Sequence, residues 1–124
     1  ALVSHSNFGA SNSPSARKMR EALALIHARA PDLEVDGEMH ADLALSEVLR
    51  GRSVTSSTLQ GQANLLVMPS LDAANIALNL LASVTEGLPV GPILLGMAKP
   101  VHVLVPATTT RGIVNMTAFA VAQG

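Results

Sequence analysis

The chain has 124 residues, 48% of them apolar, enough to bury one core and too few for two independent domains, so one domain or part of one is expected. A formal net charge of -1 and the absence of any basic run exclude the electrostatic footprint of a nucleic-acid binder, and the lack of cysteine excludes disulfides, thiolate metal sites and cysteine nucleophiles. Apolar stretches break at Pro, Gly or Asn before the roughly 18 residues of a membrane span, and no charged-then-apolar leader opens the sequence, so no membrane association is expected and a soluble, cytoplasmic origin fits.

Short continuous apolar runs alternate with helical stripes, the rhythm of a three-layer α/β domain with a mostly parallel sheet of about five strands and helices on both faces. Ala1 to Ser4 reads as a strand. It begins without an initiator Met, the pattern of a stretch cut from a longer polypeptide. Ser6 to Ser13 is a polar loop, with Ser13 as cap and Pro14 as first residue of a helix that carries Met19, Leu23 and Ile26 on one face until Pro31. Leu33 to Val35 reads as a second strand turned at Asp36-Gly37, and His40 to Arg50 as a helix closed by Gly51.

Arg52 to Gln62 is a polar loop, and Leu65 to Met68 a buried type of strand ended by Pro69. Asp72 then caps a helix that sends Ile76, Leu80 and Val84 toward the core until Gly87. Gly91 to Gly96 and Val101 to Val105 read as two more strands, and Thr108 to Ala122 as a last helix, apolar nearly all round. A helix without a polar face needs cover on both sides, so Ile113, Met116, Phe119 and Val121 are expected to meet a partner subunit, making a homo-oligomer, or the rest of the domain. Phe8 and Phe119 are the only Phe, Tyr or Trp residues, so the core is aliphatic.

These segments resemble, in order, the C-terminal half of the phosphotransacetylase (phosphate acetyl/butyryl-transferase) family. The resemblance rests on Ser4-His5-Ser6-Asn7-Phe8-Gly9, Val35-Asp36-Gly37-Glu38, Ala63 through Pro69, Asp72-Ala73-Ala74-Asn75-Ile76, Gly91 through Gly96, Lys99-Pro100 and Ile113-Val114-Asn115. No single segment decides; the ordered set is specific. The wording of Ser6 to Gly9 together with Ser13 to Arg20 resembles the domain appended to large bacterial NADP-dependent malic enzymes. The likeness implies the family's three-layer fold, of the isocitrate/isopropylmalate dehydrogenase-like kind, with a ligand crevice at the carboxyl edge of the strands.

The family's chemistry moves an acyl group between acyl phosphate and coenzyme A: a base takes the thiol proton, and hydroxyl and cationic donors hold the tetrahedral oxyanion. Residue by residue, the resemblance puts the family's Ser on Val105, its Arg on Pro106 and its late Asp on Gly112. Losing one oxyanion donor costs about a hundredfold to a thousandfold in rate, so no catalytic residue is assigned. Arg111 replaces a charge there but is no base near neutral pH.

The resemblance then implies a non-catalytic site for acetyl-CoA or a related acyl-CoA as effector, bordered by Ser4, Ser6, Asn7, Gly9, Ser11, Ser13 and Arg17, with His102 and Arg111 from the old catalytic segment. Hydroxyls and backbone N–H groups at a helix N-terminus suit an anion, although the same serines serve equally as loop caps. The parent would bring NADP and a divalent metal for malate decarboxylation; this stretch has no cofactor of its own. An active phosphate acetyltransferase and a ligand-free assembly module stay open as alternatives. Asp36, Glu38, His40 and Asp42 alternate as metal-type donors, but their spacing fits no established cage, and a turn leading into a helix start is the simpler reading. The five methionines read as core filling, and Asn64, Asn75 and Asn115 as partners of loop backbone.

Overall fold

The apolar run at the start of the chain becomes β1 (Leu2–Val3), buried and hydrogen-bonded on both flanks. On one side it pairs in parallel with β2 (Gly37–Met39), Leu2 opposite Gly37 and Val3 opposite Met39. On the other, Ala1 N donates to Leu65 O at 2.6 Å, Val67 N to Ala1 O at 2.9 Å and Val3 N to Val67 O at 2.9 Å. The expected buried strand at Leu65 to Met68 is reduced to an isolated parallel bridge, Leu2 opposite Val67, with Leu65 and Val67 exposed. These coordinates come from a computed structural model, which describes residues 1–123.

β2 lies downstream of the expected strand at Leu33 to Val35, where Leu33 and Glu34 are exposed. Gly37 explains the displacement. Its φ is +145°, and a Cβ there would lie 2.5 Å from Leu2 O, so the Asp-Gly pair is the point of closest approach between two strands rather than a turn after one.

α1 (Pro14–Arg29) starts as the sequence dictates: the Ser13 side chain accepts from Ala16 N and Pro14 holds the first position. It packs Ala16 and Met19 against the sheet, and the chain leaves the helix at Ala30, before Pro31. The helix expected from His40 to Arg50 is broken in two, α2 (Ala41–Leu45) and α3 (Glu47–Ser53). Ser46 makes the break: its backbone is extended, and its hydroxyl accepts from Leu49 N, competing with helix continuation. Gly51 accordingly sits inside α3 and not at its end.

Met39, Leu43 and Ala44 form the core, with Phe8, Val54, Leu59 and Leu66 packed around it. Beneath them Arg50, 2% exposed, donates to the carbonyls of Leu43, Leu59 and Gly61 and so fastens the loop after α3.

α4 (Leu71–Val84) is capped by Ser70, which accepts from Ala73 N, while Asp72 lies in its first turn. None of its residues is buried, so among the described residues Ile76, Leu80 and Val84 face no core. The chain divides into two units, Ala1–Leu80 and Leu81–Gly124. In the second, α5 (Thr110–Ala122) is capped by Thr109, whose hydroxyl accepts from Gly112 N at 3.1 Å. Met116 is buried and Phe119 half-buried, whereas Ile113 and Val121 are exposed. Gly91 to Gly96 and Val101 to Val105 form no strand: among the described residues the sheet is β1 and β2 with the Val67 bridge, and the later runs have no strand to pair with. The fold is α/β, helices with a small parallel sheet on which α1 packs. Among the described residues no helix is long and apolar enough to cross a membrane.

Candidate functional site

Between β1 and α1 the chain makes a tight reversal. Phe8 has φ +46° and Gly9 +89°, consecutive left-handed residues that turn the Gly9 amide inward, with Phe8 held on the core as compensation. The amide points at Glu38, the central residue of β2, which is completely buried. One oxygen of that carboxylate, Oε1, accepts from Ser6 Oγ at 2.7 Å, Gly9 N at 3.0 Å and Arg20 Nη1 at 2.9 Å. The Glu38 carbonyl accepts from Phe8 N at 2.7 Å. Oε2 is buried with no partner among the described residues.

Arg20 ties the same loop from the helix side, donating to Ser11 O at 2.9 Å and to Asn12 Oδ1 at 3.1 Å. Burial pushes the Glu38 carboxyl up, but the Ser6 hydroxyl, the Gly9 amide, its own amide and the Arg20 charge outweigh that and hold it below the ordinary carboxylate value.

Seven of the nine expected site residues gather in this loop and the first turn of α1. Ser4 N donates to Met39 O, and its hydroxyl accepts from Ser6 N. Ser6 is buried and committed to Glu38. Asn7 Oδ1 accepts from His40 N at 2.7 Å. Ser11 donates its amide to Ser6 Oγ and accepts Ser13 N on its hydroxyl, and Ser13 caps α1. Most of the amides that would have met a ligand are thus used inside the loop. Arg17 is exposed, and its side chain has no hydrogen bond or ion pair among the described residues.

Glu38 and Arg20 organise this loop, and sequence reasoning gave neither that role. Their pairing across 18 residues leaves no local signature in the sequence. The four alternating donors go to separate tasks. Asp36 holds Gly37 N with Oδ1, and Ser57 Oγ and Thr58 N with Oδ2, each of the last two at 2.7 Å. His40 Nε2 meets His5 O at 2.9 Å, and Asp42 stays within the first turn of α2. Among the described residues no three His, Asp or Glu side chains are grouped to hold a metal ion.

His102 and Arg111 belong to the second unit. His102 Nδ1 accepts from Leu94 N at 3.4 Å, its ring lies 5.5 Å from that of Phe119, and its buried Nε2 has no partner among the described residues. Arg111 is exposed in the first turn of α5. Val105 and Pro106 are exposed in the turn before that helix. Gly112 lines a cavity of about 260 Å³ together with Thr108, Thr109, Asn115, Met116 and residues 88–91. From Leu81 onward the sole carboxylic side chain is Glu86, and none of Val105, Pro106 and Gly112 supplies a base.

A sequence profile for "Phosphate acetyl/butaryl transferase" matches residues 1–121. A Rhizobium meliloti NAD-dependent malic enzyme is 63% identical over 123 residues and an Escherichia coli NADP-dependent malic enzyme 56% over 124 residues, each match covering 99% of this chain and 16% of the relative. A Paracoccus denitrificans phosphate acetyltransferase is 45% identical over 123 residues, covering 99% of this chain and 39% of the relative. The EutD phosphotransacetylase structure from Staphylococcus aureus superposes with a TM-score of 0.88 at 29% identity, over 98% of this chain and 38% of that one. The chain thus spans about a sixth of the malic enzymes and about two fifths of the acetyltransferases it matches. It belongs to the phosphate acetyl/butaryl transferase family and is similar to the stretch that bacterial malic enzymes share with phosphotransacetylases.

Proposed function

We propose that this chain is a non-catalytic, regulatory acyl-CoA-binding part of a malic enzyme, with acetyl-CoA as the effector. The observation that carries the reading is the chemistry missing from the second unit. Where the family resemblance calls for a hydroxyl, a guanidinium and a carboxylate, the chain has Val105, Pro106 and Gly112. The cavity at Gly112 keeps room and the hydroxyls of Thr108 and Thr109, but no group there takes a thiol proton. Binding without turnover is what such a site supports.

In the first unit, the groups free to face a ligand are the Arg17 guanidinium, the Asn7 side-chain amide and the hydroxyls of Ser4 and Ser11; Ser6, Gly9 and Ser13 contribute by holding the loop's shape. In the second unit, taken by itself, His102 and Arg111 are the proposed ligand residues. The exposed apolar residues of α4 and α5 favour cover by the rest of a three-layer domain and by a second subunit. The oxidative decarboxylation of malate, with its nicotinamide coenzyme and divalent metal, belongs in this proposal to the remainder of the polypeptide; the relatives' names give both NAD and NADP.

The test uses the full-length protein. Malate decarboxylation is followed with and without acetyl-CoA, and acetyl-CoA formation from acetyl phosphate and coenzyme A is measured in parallel. The proposal predicts an acetyl-CoA effect on the first reaction and background rate in the second. Rapid acetyl transfer would establish an active acetyltransferase, and indifference of both assembly and decarboxylation to acetyl-CoA would leave a structural module.

A further inference from the structure

The serine loop has the parts of an anion cradle: an amide presented by a left-handed turn, a hydroxyl and a guanidinium, converging on one point. That point is filled from within, by a carboxylate that arrives from β2, 29 residues after Gly9. Glu38 is completely buried and Ser6 is 2% exposed, so no ligand reaches this convergence while Glu38 occupies it. A second anion among the same donors would sit against the first in a poorly solvated place, where like charges exclude one another. The unpartnered Oε2 sharpens the point, because the cradle already holds more acceptor capacity than its donors fill.

We propose that Glu38 is the resident anion of the serine loop, a positioning residue that occupies the cradle an external phosphate or carboxylate would otherwise fill and so presets Asn7 and Arg17. Resting on the acyl-CoA reading, it further assigns the ligand's phosphates to the exposed Arg17 side of α1 and not to the amides of the loop.

The test is rescue by an external carboxylate, read by hydrogen exchange of residues 4–16 in the full-length protein. Glu38→Ala removes the anion and leaves its donors facing a void. Exchange of the segment is expected to quicken on the order of tenfold to a hundredfold, the scale of a lost charged hydrogen bond. Added formate, which brings the missing carboxylate, is expected to slow it again, while chloride at equal ionic strength does not. Arg20→Ala, which keeps the anion and loses a donor, is expected to gain nothing from formate. Equal effects of formate and chloride on Glu38→Ala would overturn the proposal. Should that variant not fold, Glu38→Gln keeps the shape without the charge, and exchange as slow as in the unmodified protein would equally overturn it. Formate rescue is read without acetyl-CoA, so this assignment and the acyl-CoA reading fail separately.

Discussion

Arg20 Nη1 stands 2.9 Å from Glu38 Oε1, and the two differ sharply in setting: the carboxylate side chain is fully buried, the guanidinium side chain 29% exposed. The pair therefore joins a solvated helix face to the strand beneath it, through a charge that cannot reach water by itself. Removing the exposed partner leaves the buried one uncompensated. Arg20→Ala is expected to cost roughly 2–3 kcal/mol, below the usual range for breaking a buried pair because Ser6 and Gly9 still hold Oε1. Denaturant unfolding of the full-length protein, supported by hydrogen exchange across residues 4–16, measures it.

The same pair sets a pH response. The folded-state Glu38 carboxyl lies below its ordinary value of 4.5, so it binds its proton more readily when the chain is unfolded. Its contribution to stability is complete above that ordinary value and is lost as pH falls through the folded-state value. Local exchange in the serine loop is expected to quicken in that acid window, and Glu38→Gln to flatten the dependence there while leaving the response at higher pH unchanged.

Two glycines should respond in opposite ways to alanine. Gly37→Ala places a Cβ 2.5 Å from Leu2 O at a φ of +145°, and the obstacle is backbone, which cannot swing aside; a loss of about 3 kcal/mol or more is expected. Gly51 lies in α3 with open space where a Cβ would go, so Gly51→Ala is expected to be neutral or to stabilise by up to about 1 kcal/mol. Thermal unfolding of the two variants side by side separates the effects.

On the proposed reading, acyl transfer is open to reconstruction. Val105→Ser, Pro106→Arg and Gly112→Asp together restore the groups the family uses, and the triple variant is expected to form acetyl-CoA from acetyl phosphate above the unmodified rate, whereas each single change is not. A Cβ on Gly112 comes 2.9 Å from Thr108 Cγ2, so adding Thr108→Ser should raise the yield further. A steady-state assay of the variants decides it.

What could be read from the sequence was local. Ser13-Pro14 starts α1 because cap and first-turn residue act within a few positions, whereas α4 takes Ser70 as its cap and not the expected Asp72. Strand placement was less legible: β2 lies where Gly37 admits Leu2, a contact between distant parts of the chain, so the apolar Leu33 to Val35 misdirects. Ser46 splits a helix that apolar spacing alone would run through. The runs at 91–96 and 101–105 have the composition of strands, but a ladder needs a partner, and pattern says nothing about whether one is present. At the candidate site the serine loop was visible as a cluster of caps and donors. That its donors converge on Glu38 was not, because neither Glu38 nor Arg20 is adjacent to it in sequence.

The central claim is that this chain holds acyl-CoA without transferring the acyl group, and calorimetric titration of acetyl-CoA into the full-length protein tests it most directly. A saturable heat is predicted, weakened roughly tenfold by Arg17→Ala, which removes an exposed cation without disturbing the loop's internal bonds. Absence of any binding heat from the unmodified protein would contradict the account.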